Sequence, residues 1–273
     1  MNFLRKNFTR LFIFAAIVCL ALSAMAQRTN MYTQNAVAPG GYNFWVRTPD
    51  GYYQSAEKHK WPLVIFLHGA SLCGRNLNSV LRYGTLDAIK MGRNVPAVVI
   101  APQNPGGAWK PSKLNDILDW ACTNCDIDTN RVYVLGMSLG GYGTLDFAGS
   151  YPDRIAAAMA LCGGCTLKNQ EGLGKVPLWI MHGTADRAVA LSQSTRVVNN
   201  LVSQGRQTRL RYDWLSGASH GALARIFYLS ETYDWLFSHS LKDKGRPLNR
   251  TISITQAAMQ TVYRGLNPGR RRK

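Results

Sequence analysis

Short apolar runs, separated by segments with helical periodicity, constrain the fold of this chain more than any other feature. Five runs of four to six residues lie at 63–67, 97–101, 132–135, 156–161 and 178–181. Continuous apolar runs of this length are typical of strands that are covered on both faces, as in a parallel sheet. An alternating edge strand or hairpin is predicted ahead of them at 42–47, and a more polar final strand after them at 208–215.

The intervals between the runs carry apolar residues at helical spacing. One such segment follows the candidate N-cap Ser112, another spans 197–202, and 228–237 predicts the last helix of the core. Strands that alternate with helices predict an α/β fold, with a mostly parallel twisted sheet and helices on both faces. In such folds the chemistry lies at the carboxyl ends of the strands.

Residues 1–26 have the pattern of a signal peptide. Three basic residues precede an apolar run at 11–22, and Ala-Met-Ala at 24–26 supplies a cleavage site. The run of about 12 residues is shorter than the ~20 that span a bilayer, although a retained membrane anchor is the alternative. We therefore expect a secreted or periplasmic protein, with one folded domain at 27–240 and a basic C-terminal extension at 241–273.

The chain is strongly basic, with a formal net charge of +17. Nine Lys or Arg residues but a single acid, Asp243, follow residue 240. A basic balance attracts nucleic acid, anionic lipid or acidic polysaccharide, but nucleic acid is the least available of these to an exported protein. We expect no nucleic-acid partner, no membrane insertion after signal cleavage, and a solvated C-terminal tail. The composition does not indicate an oligomeric state.

Five cysteines follow the signal peptide: Cys73, Cys122, Cys125, Cys162 and Cys165. The last four form two C-x-x-C pairs, a pattern that zinc sites use. The pairs are predicted at opposite ends of neighbouring strands, about 20 Å apart, which is too far for one zinc site. In an oxidising compartment we expect a disulfide from Cys73 to Cys162 or Cys165, and either a second bridge or free thiols at Cys122 and Cys125. No metal or cofactor is implied.

The segment 136–140, Gly-Met-Ser-Leu-Gly, matches the pattern G-x-S-x-G. It lies between the predicted strand at 132–135 and a helix candidate that runs through Phe147, which is the context that the pattern requires. Ser138 is therefore the candidate nucleophile, and the Leu139 amide a candidate oxyanion donor. The loop after the strand at 63–67 is expected to supply the second donor, from Ala70 or, as the near alternative, Ser71.

The acid and the base are expected to follow the nucleophile in that order. Asp186 lies just beyond the strand at 178–181, where a carboxylate can orient an imidazole. Only His220 and His239 come later in the chain. His220 lies in a small-residue loop directly after the final strand, so it is the candidate base, whereas His239 is predicted to be a surface residue at a helix end. His68 and His182 end strands and are expected to be structural.

The runs at 62–69, 101–103 and 127–143 resemble those of secreted bacterial esterases with the α/β-hydrolase fold. That group includes feruloyl and acetyl-xylan esterases, polyhydroxybutyrate-depolymerase-type esterases and predicted peptidases, and the resemblance covers about 42–240. It implies an aromatic residue and polar groups near the acyl site, for which Trp109 and Gln103 are the candidates. A buried core position is the alternative for Trp109.

These features predict a serine carboxylic ester hydrolase that acts through an acyl-enzyme on acyl groups of polysaccharide or oligosaccharide. A serine peptidase of the prolyl-oligopeptidase type is an alternative, because the same three residue types cleave amides. A non-catalytic binding protein on the same fold is another. No lipase-type lid is recognisable in the sequence.

Overall fold

Eight strands form one sheet in the part of the chain that the computed structural model describes, residues 30–54 and 59–266. The strands are β1 Met31–Gln34, β2 Phe44–Arg47, β3 Trp61–Leu67, β4 Val98–Pro102, β5 Ile127–Met137, β6 Ala157–Leu161, β7 Leu178–Gly183 and β8 Leu210–Leu215. Their order is β1-β2-β4-β3-β5-β6-β7-β8. The pairs β1–β2 and β2–β4 are antiparallel, and the other pairs are parallel.

Burial explains which strands the sequence identifies. Every residue of β4, β6 and β7 is buried, as expected for central strands covered on both faces. The edge strand β8 has a mixed pattern, with Tyr212 exposed. The opposite edge strand β1 lacks an apolar run, and it was not predicted.

Six α-helices in the described residues cover both faces of the sheet. They are α1 Thr85–Lys90, α2 Pro111–Asn124, α3 Leu139–Ser150, α4 Ser192–Ser203, α5 Ser230–Phe237 and α6 Gln256–Thr261. Apolar residues of α1, α5 and α6 belong to the core on one face, and those of α2, α3 and α4 to the core on the other. The predicted α/β architecture is confirmed.

Two helix boundaries differ from the prediction. The helix α2 begins at Pro111, a residue favoured in the first turn, so Lys110 and not Ser112 precedes it. The predicted helix at 228–237 is divided, because Leu229 is extended (φ −81°, ψ 141°) between the 3-10 helix His220–Tyr228 and α5.

The C-terminal extension packs on the domain as far as Leu266, so the solvated-tail prediction is wrong for 241–266. Ile254, Met259, Val262 and Leu266 are buried in the core on the α5 face. The solvated tail was predicted from the basic charge of the segment, without regard to these apolar residues. Their burial stabilises the packed state. Residues 267–273 and the predicted signal peptide lie outside the described residues.

Within 30–54 and 59–266, no helix is both long and apolar enough to cross a membrane.

Candidate active site

Ser138 occupies a strained turn between β5 and α3. Its backbone has φ 58° and ψ −122°, a region that residues other than glycine rarely adopt. Its amide donates a 2.9 Å hydrogen bond to the carbonyl oxygen of Leu161 at the end of β6. The neighbouring strand therefore holds Ser138, which is half-buried, at the carboxyl edge of the sheet.

The two glycines that flank Ser138 are required by close backbone contacts. A Cβ atom added to Gly140 would overlap the carbonyl oxygen of Leu67, at the end of β3. A Cβ atom added to Gly136 would lie 2.6 Å from the same oxygen. Both positions exclude larger residues, which is the physical reason for the G-x-S-x-G spacing.

Asp186 and His220 form a hydrogen-bonded pair at the same edge. Asp186 lies three residues beyond β7, and His220 begins the 3-10 helix that follows β8. The distance from His220 Nδ1 to Asp186 Oδ2 is 2.7 Å. The other carboxylate oxygen, Oδ1, accepts hydrogen bonds from the amides of Ala188 at 2.8 Å and Val189 at 2.9 Å.

These contacts keep the carboxyl group of Asp186 ionised. Its side chain has no exposed surface, and burial by itself raises the pKa of a carboxyl group. The hydrogen bonds from Val189, His220 and Ala188 outweigh burial, and the pKa of Asp186 is lowered. The pair can therefore consist of a carboxylate and an imidazole whose Nδ1 carries the proton.

His220 faces an open pocket. Its side chain is 25% exposed, in contrast to the covered carboxylate. The pocket has a volume of about 550 Å³ and is lined by Ala185, Arg187, Ala188, Ser219, His220 and Gly221. A small substrate group can therefore reach the imidazole from solvent.

Cys162 lies between the Ser138 turn and this pair. It directly follows Leu161, whose carbonyl oxygen binds the Ser138 amide. Its Sγ atom, a carboxylate oxygen of Asp186 and a ring nitrogen of His220 all lie within 4.8 Å of one another. Burial raises the pKa of the Cys162 thiol, so it is protonated at neutral pH. From the sequence, Cys162 is considered only as a disulfide partner or a zinc ligand, because its approach to Asp186 depends on the neighbouring positions of β6 and β7 in the sheet.

The loop after β3 lies beside Ser138. A Cβ atom built on Gly69 would be 3.3 Å from the Ser138 Cβ atom. The Gly69 amide donates a 2.8 Å hydrogen bond to the Tyr83 hydroxyl, which fixes the start of the loop. The next residue, Ala70, is exposed. Leu139 is the first residue of α3, where amides lack intrahelical acceptors.

The structure buries Trp109 and Gln103. Trp109 is 2% exposed, and its indole nitrogen donates to the His68 carbonyl oxygen at 3.3 Å. The side-chain nitrogen of Gln103, Nε2, donates to the Leu72 carbonyl oxygen at 2.6 Å. Both side chains thus bind backbone carbonyl groups of the loop at 67–72. Their contact with substrate stays a prediction.

The predicted disulfide from Cys73 to Cys162 or Cys165 is not formed, and Cys122 and Cys125 are the free thiols that the sequence left as an alternative. All five cysteines of the described residues are free thiols: Cys73, Cys122, Cys125, Cys162 and Cys165. The Cys162 thiol faces the carboxylate of Asp186 instead of another cysteine. Cys125 lies against the Tyr32 hydroxyl on β1, the strand that the sequence did not predict.

The fold has known counterparts. A thermostable esterase of known structure superposes with a TM-score of 0.64 and 24% identity, covering 77% of this chain and 63% of that one. An acetyl xylan esterase from Aspergillus awamori superposes with a TM-score of 0.54 and 13% identity, covering 70% and 93%. The chain has the α/β-hydrolase fold.

A curated protein is similar in sequence to part of this chain. It is the poly(3-hydroxyalkanoate) depolymerase C of Paucimonas lemoignei, 28% identical over 175 residues. The match covers 56% of this chain but only 39% of the depolymerase. No family model matches the sequence.

Proposed function

We propose that this chain is an exported serine carboxylic ester hydrolase, with Ser138 as nucleophile, His220 as base and Asp186 as acid. The observation that carries the proposal is the 2.7 Å hydrogen bond between His220 and Asp186, at the sheet edge that also holds the strained Ser138 turn. A carboxylate that orients an imidazole, together with a serine on a tight turn, is the arrangement that activates a hydroxyl group for acyl transfer.

The proposed reaction proceeds through an acyl-enzyme. His220 takes the proton of the Ser138 hydroxyl as its oxygen attacks the ester carbonyl, and Asp186 stabilises the imidazolium that forms. The amides of Leu139 and Ala70 donate to the developing oxyanion. His220 then protonates the departing alcohol, and a water molecule, activated by the same imidazole, releases the acid.

The proposed substrates are acyl esters of polysaccharide or oligosaccharide. The fold that this chain shares with an acetyl xylan esterase supports this substrate class. The partial similarity to the hydroxyalkanoate depolymerase supports a second candidate, esters between hydroxy acids. An open pocket beside His220 suits either ester class.

A fluorophosphonate probe tests the hydrolase proposal. The wild-type chain should be labelled covalently, and a folded Ser138→Ala variant should not. Absence of labelling in the wild type would favour a non-catalytic binding protein. Intact-mass measurement of the exported protein would test signal cleavage, which is expected to leave Gln27 as the first residue.

A substrate panel separates the ester classes. It should contain acetylated xylan, feruloylated xylan, hydroxybutyrate oligomers, a simple aryl ester and a peptide amide. Faster hydrolysis of the xylan esters than of the other compounds would support the proposed substrate. Preference for the oligomers would support the second candidate, and preference for the amide would support a peptidase.

A further inference from the structure

A second imidazole contacts the carboxylate that binds His220. His182 lies in β7, four residues before Asp186, and its side chain has no exposed surface. Its Nε2 atom is 3.3 Å from Asp186 Oδ2 and 3.0 Å from the carbonyl oxygen of Val189. Two histidine side chains therefore meet at one carboxylate oxygen.

The acceptors around His182 determine which ring nitrogen carries a proton. The Val189 carbonyl oxygen can only accept a hydrogen bond, and so can the ionised carboxylate of Asp186. His182 Nε2 must therefore be a donor, whatever the charge of the ring. Burial lowers the pKa of His182, which favours the neutral form with the proton on Nε2.

The other side of the ring is fixed as well. His182 Nδ1 is 2.8 Å from the hydroxyl oxygen of Ser194, in the first turn of α4. The same hydroxyl oxygen is 2.6 Å from the carbonyl oxygen of Gly163, so its one proton is shared between that oxygen and the unprotonated Nδ1. Gly163 follows Cys162, so the ring is connected to the segment after β6 that lies beside the pair. These contacts leave His182 little freedom to rotate.

We propose that His182 is a positioning residue, which holds the Asp186 carboxylate and limits its strength as an acceptor for His220. The inference rests on the proposed function, because it concerns the same acid and base. His182 Nε2 binds the carbonyl group of Val189, whose amide binds Asp186 Oδ1. The same nitrogen lies 3.3 Å from Oδ2. His182 therefore contacts Asp186 both directly and through Val189.

The direction of the effect follows from the shared oxygen. When the Nε2 donor is removed, Asp186 Oδ2 becomes a stronger acceptor for His220 Nδ1 and stabilises the protonated imidazole. His220 then stays protonated to higher pH, and activity that needs the neutral base appears at higher pH. Other charged or titratable groups that face the pair are Cys162 from β6 and Arg187 from the Asp186 loop. Cys162 and Arg187 are both still present in a His182 variant.

Two polar substitutions of His182 form the test. In His182→Gln the amide nitrogen can replace Nε2 as donor to Asp186 and Val189. In His182→Asn the shorter side chain reaches only the Ser194 side. We expect His182→Asn to move the acidic limb of the kcat/KM profile up by about 0.5 to 1 pH unit and to lower kcat/KM about tenfold. We expect His182→Gln to keep the limb near its wild-type position.

The matched control is His239→Gln. His239 is also buried, and both of its ring nitrogens bind backbone groups, but it does not contact Asp186. Its substitution should leave the limb in place. A folded His182→Asn variant with an unmoved limb would overturn the inference, as would an equal shift in His182→Gln and His182→Asn.

A second readout does not require catalysis. The sequence has five histidines, and the His220 ring can be titrated by NMR in a Ser138→Ala background. His182→Asn should raise its titration midpoint there, and His182→Gln should not. If the wild type fails to react with fluorophosphonate but this shift occurs, the proposed function fails and the hydrogen-bond coupling stands. If labelling succeeds and the shift is absent, only the role of His182 is wrong.

Discussion

His220 and His239, the two histidines that follow Asp186 in the chain, have opposite surroundings. His220 is 25% exposed, and its Nδ1 atom binds a carboxylate. His239 is 2% exposed; its Nδ1 atom is 2.8 Å from the Trp235 carbonyl oxygen, and its Nε2 atom accepts from the Asn249 amide at 3.0 Å. The prediction that His239 is a surface residue is wrong.

The difference shows what a catalytic base requires. A base needs one ring nitrogen that is oriented by a partner and another that substrate can approach. Substrate cannot approach either ring nitrogen of His239, because both bind backbone groups, one in α5 and one in the C-terminal extension. Burial also lowers the pKa of His239, which favours a neutral structural ring. Only the surroundings of His220 suit proton transfer.

The largest expected effect is that of removing the proposed base. His220→Ala should lower kcat/KM by about 10⁴- to 10⁶-fold with little change in stability, because the proton acceptor of Ser138 is gone. Ester hydrolysis and circular dichroism of the purified variant would measure both. If His239→Ala causes the larger loss of activity in a folded chain, the base is assigned wrongly.

Removal of the proposed acid, Asp186, should have the next largest effect. Asp186→Asn preserves the shape of the side chain but removes the charge that stabilises the His220 imidazolium, so we expect a loss of about 10³- to 10⁴-fold in kcat. Steady-state kinetics on one aryl ester would measure it. Asp213→Asn is the control, since Asp213 binds Trp179 and Arg211 within the sheet and not a histidine. Equal losses in the two variants would contradict the assignment.

Local features of the molecule were predictable from the sequence, whereas the surroundings of His239 were not. The apolar runs and the G-x-S-x-G pattern are local, so the central strands and the Ser138 turn were predictable. The expected order of acid and base along the chain led to the candidates Asp186 and His220, which the structure brings within 2.7 Å of each other. His239 binds the amide of Asn249, which lies in a basic segment whose composition indicated solvent exposure.

Contacts across the sheet were beyond the sequence for a related reason. His182 is only four residues from Asp186, but their contact depends on the conformation of the loop after β7. Cys162 directly follows β6, and its approach to Asp186, which follows β7, depends on the strand order β6-β7-β8. That order cannot be derived from periodicity alone. A histidine or a cysteine at a strand end also has an ordinary structural explanation. No local pattern therefore distinguished His182 and Cys162 from structural residues.

A smaller effect is expected when the structural histidine is removed. His239→Ala leaves the Asn249 amide without its acceptor and creates a cavity beside Trp235, so the free energy of unfolding should fall by about 2–4 kcal/mol. Activity of the folded fraction should be unchanged. Urea denaturation would measure the loss, with the exposed His59→Ala as control, expected to change stability by less than about 0.5 kcal/mol. Equal effects of the two variants would show that the His239 contacts contribute little.

The smallest expected effect is a pH dependence of stability that is centred on Asp186. Its pKa is lower in the folded chain than the ordinary value of about 3.9, so its ionisation stabilises the fold above that pH. This contribution is lost as the pH falls from about 4 through the lower folded value. Denaturation of the wild type and Asp186→Asn as a function of pH should therefore show a stability difference that shrinks below about pH 4. A difference that grows on acidification would mean that the carboxyl group is held protonated, and such a group could not stabilise the His220 imidazolium that distinguishes His220 from His239.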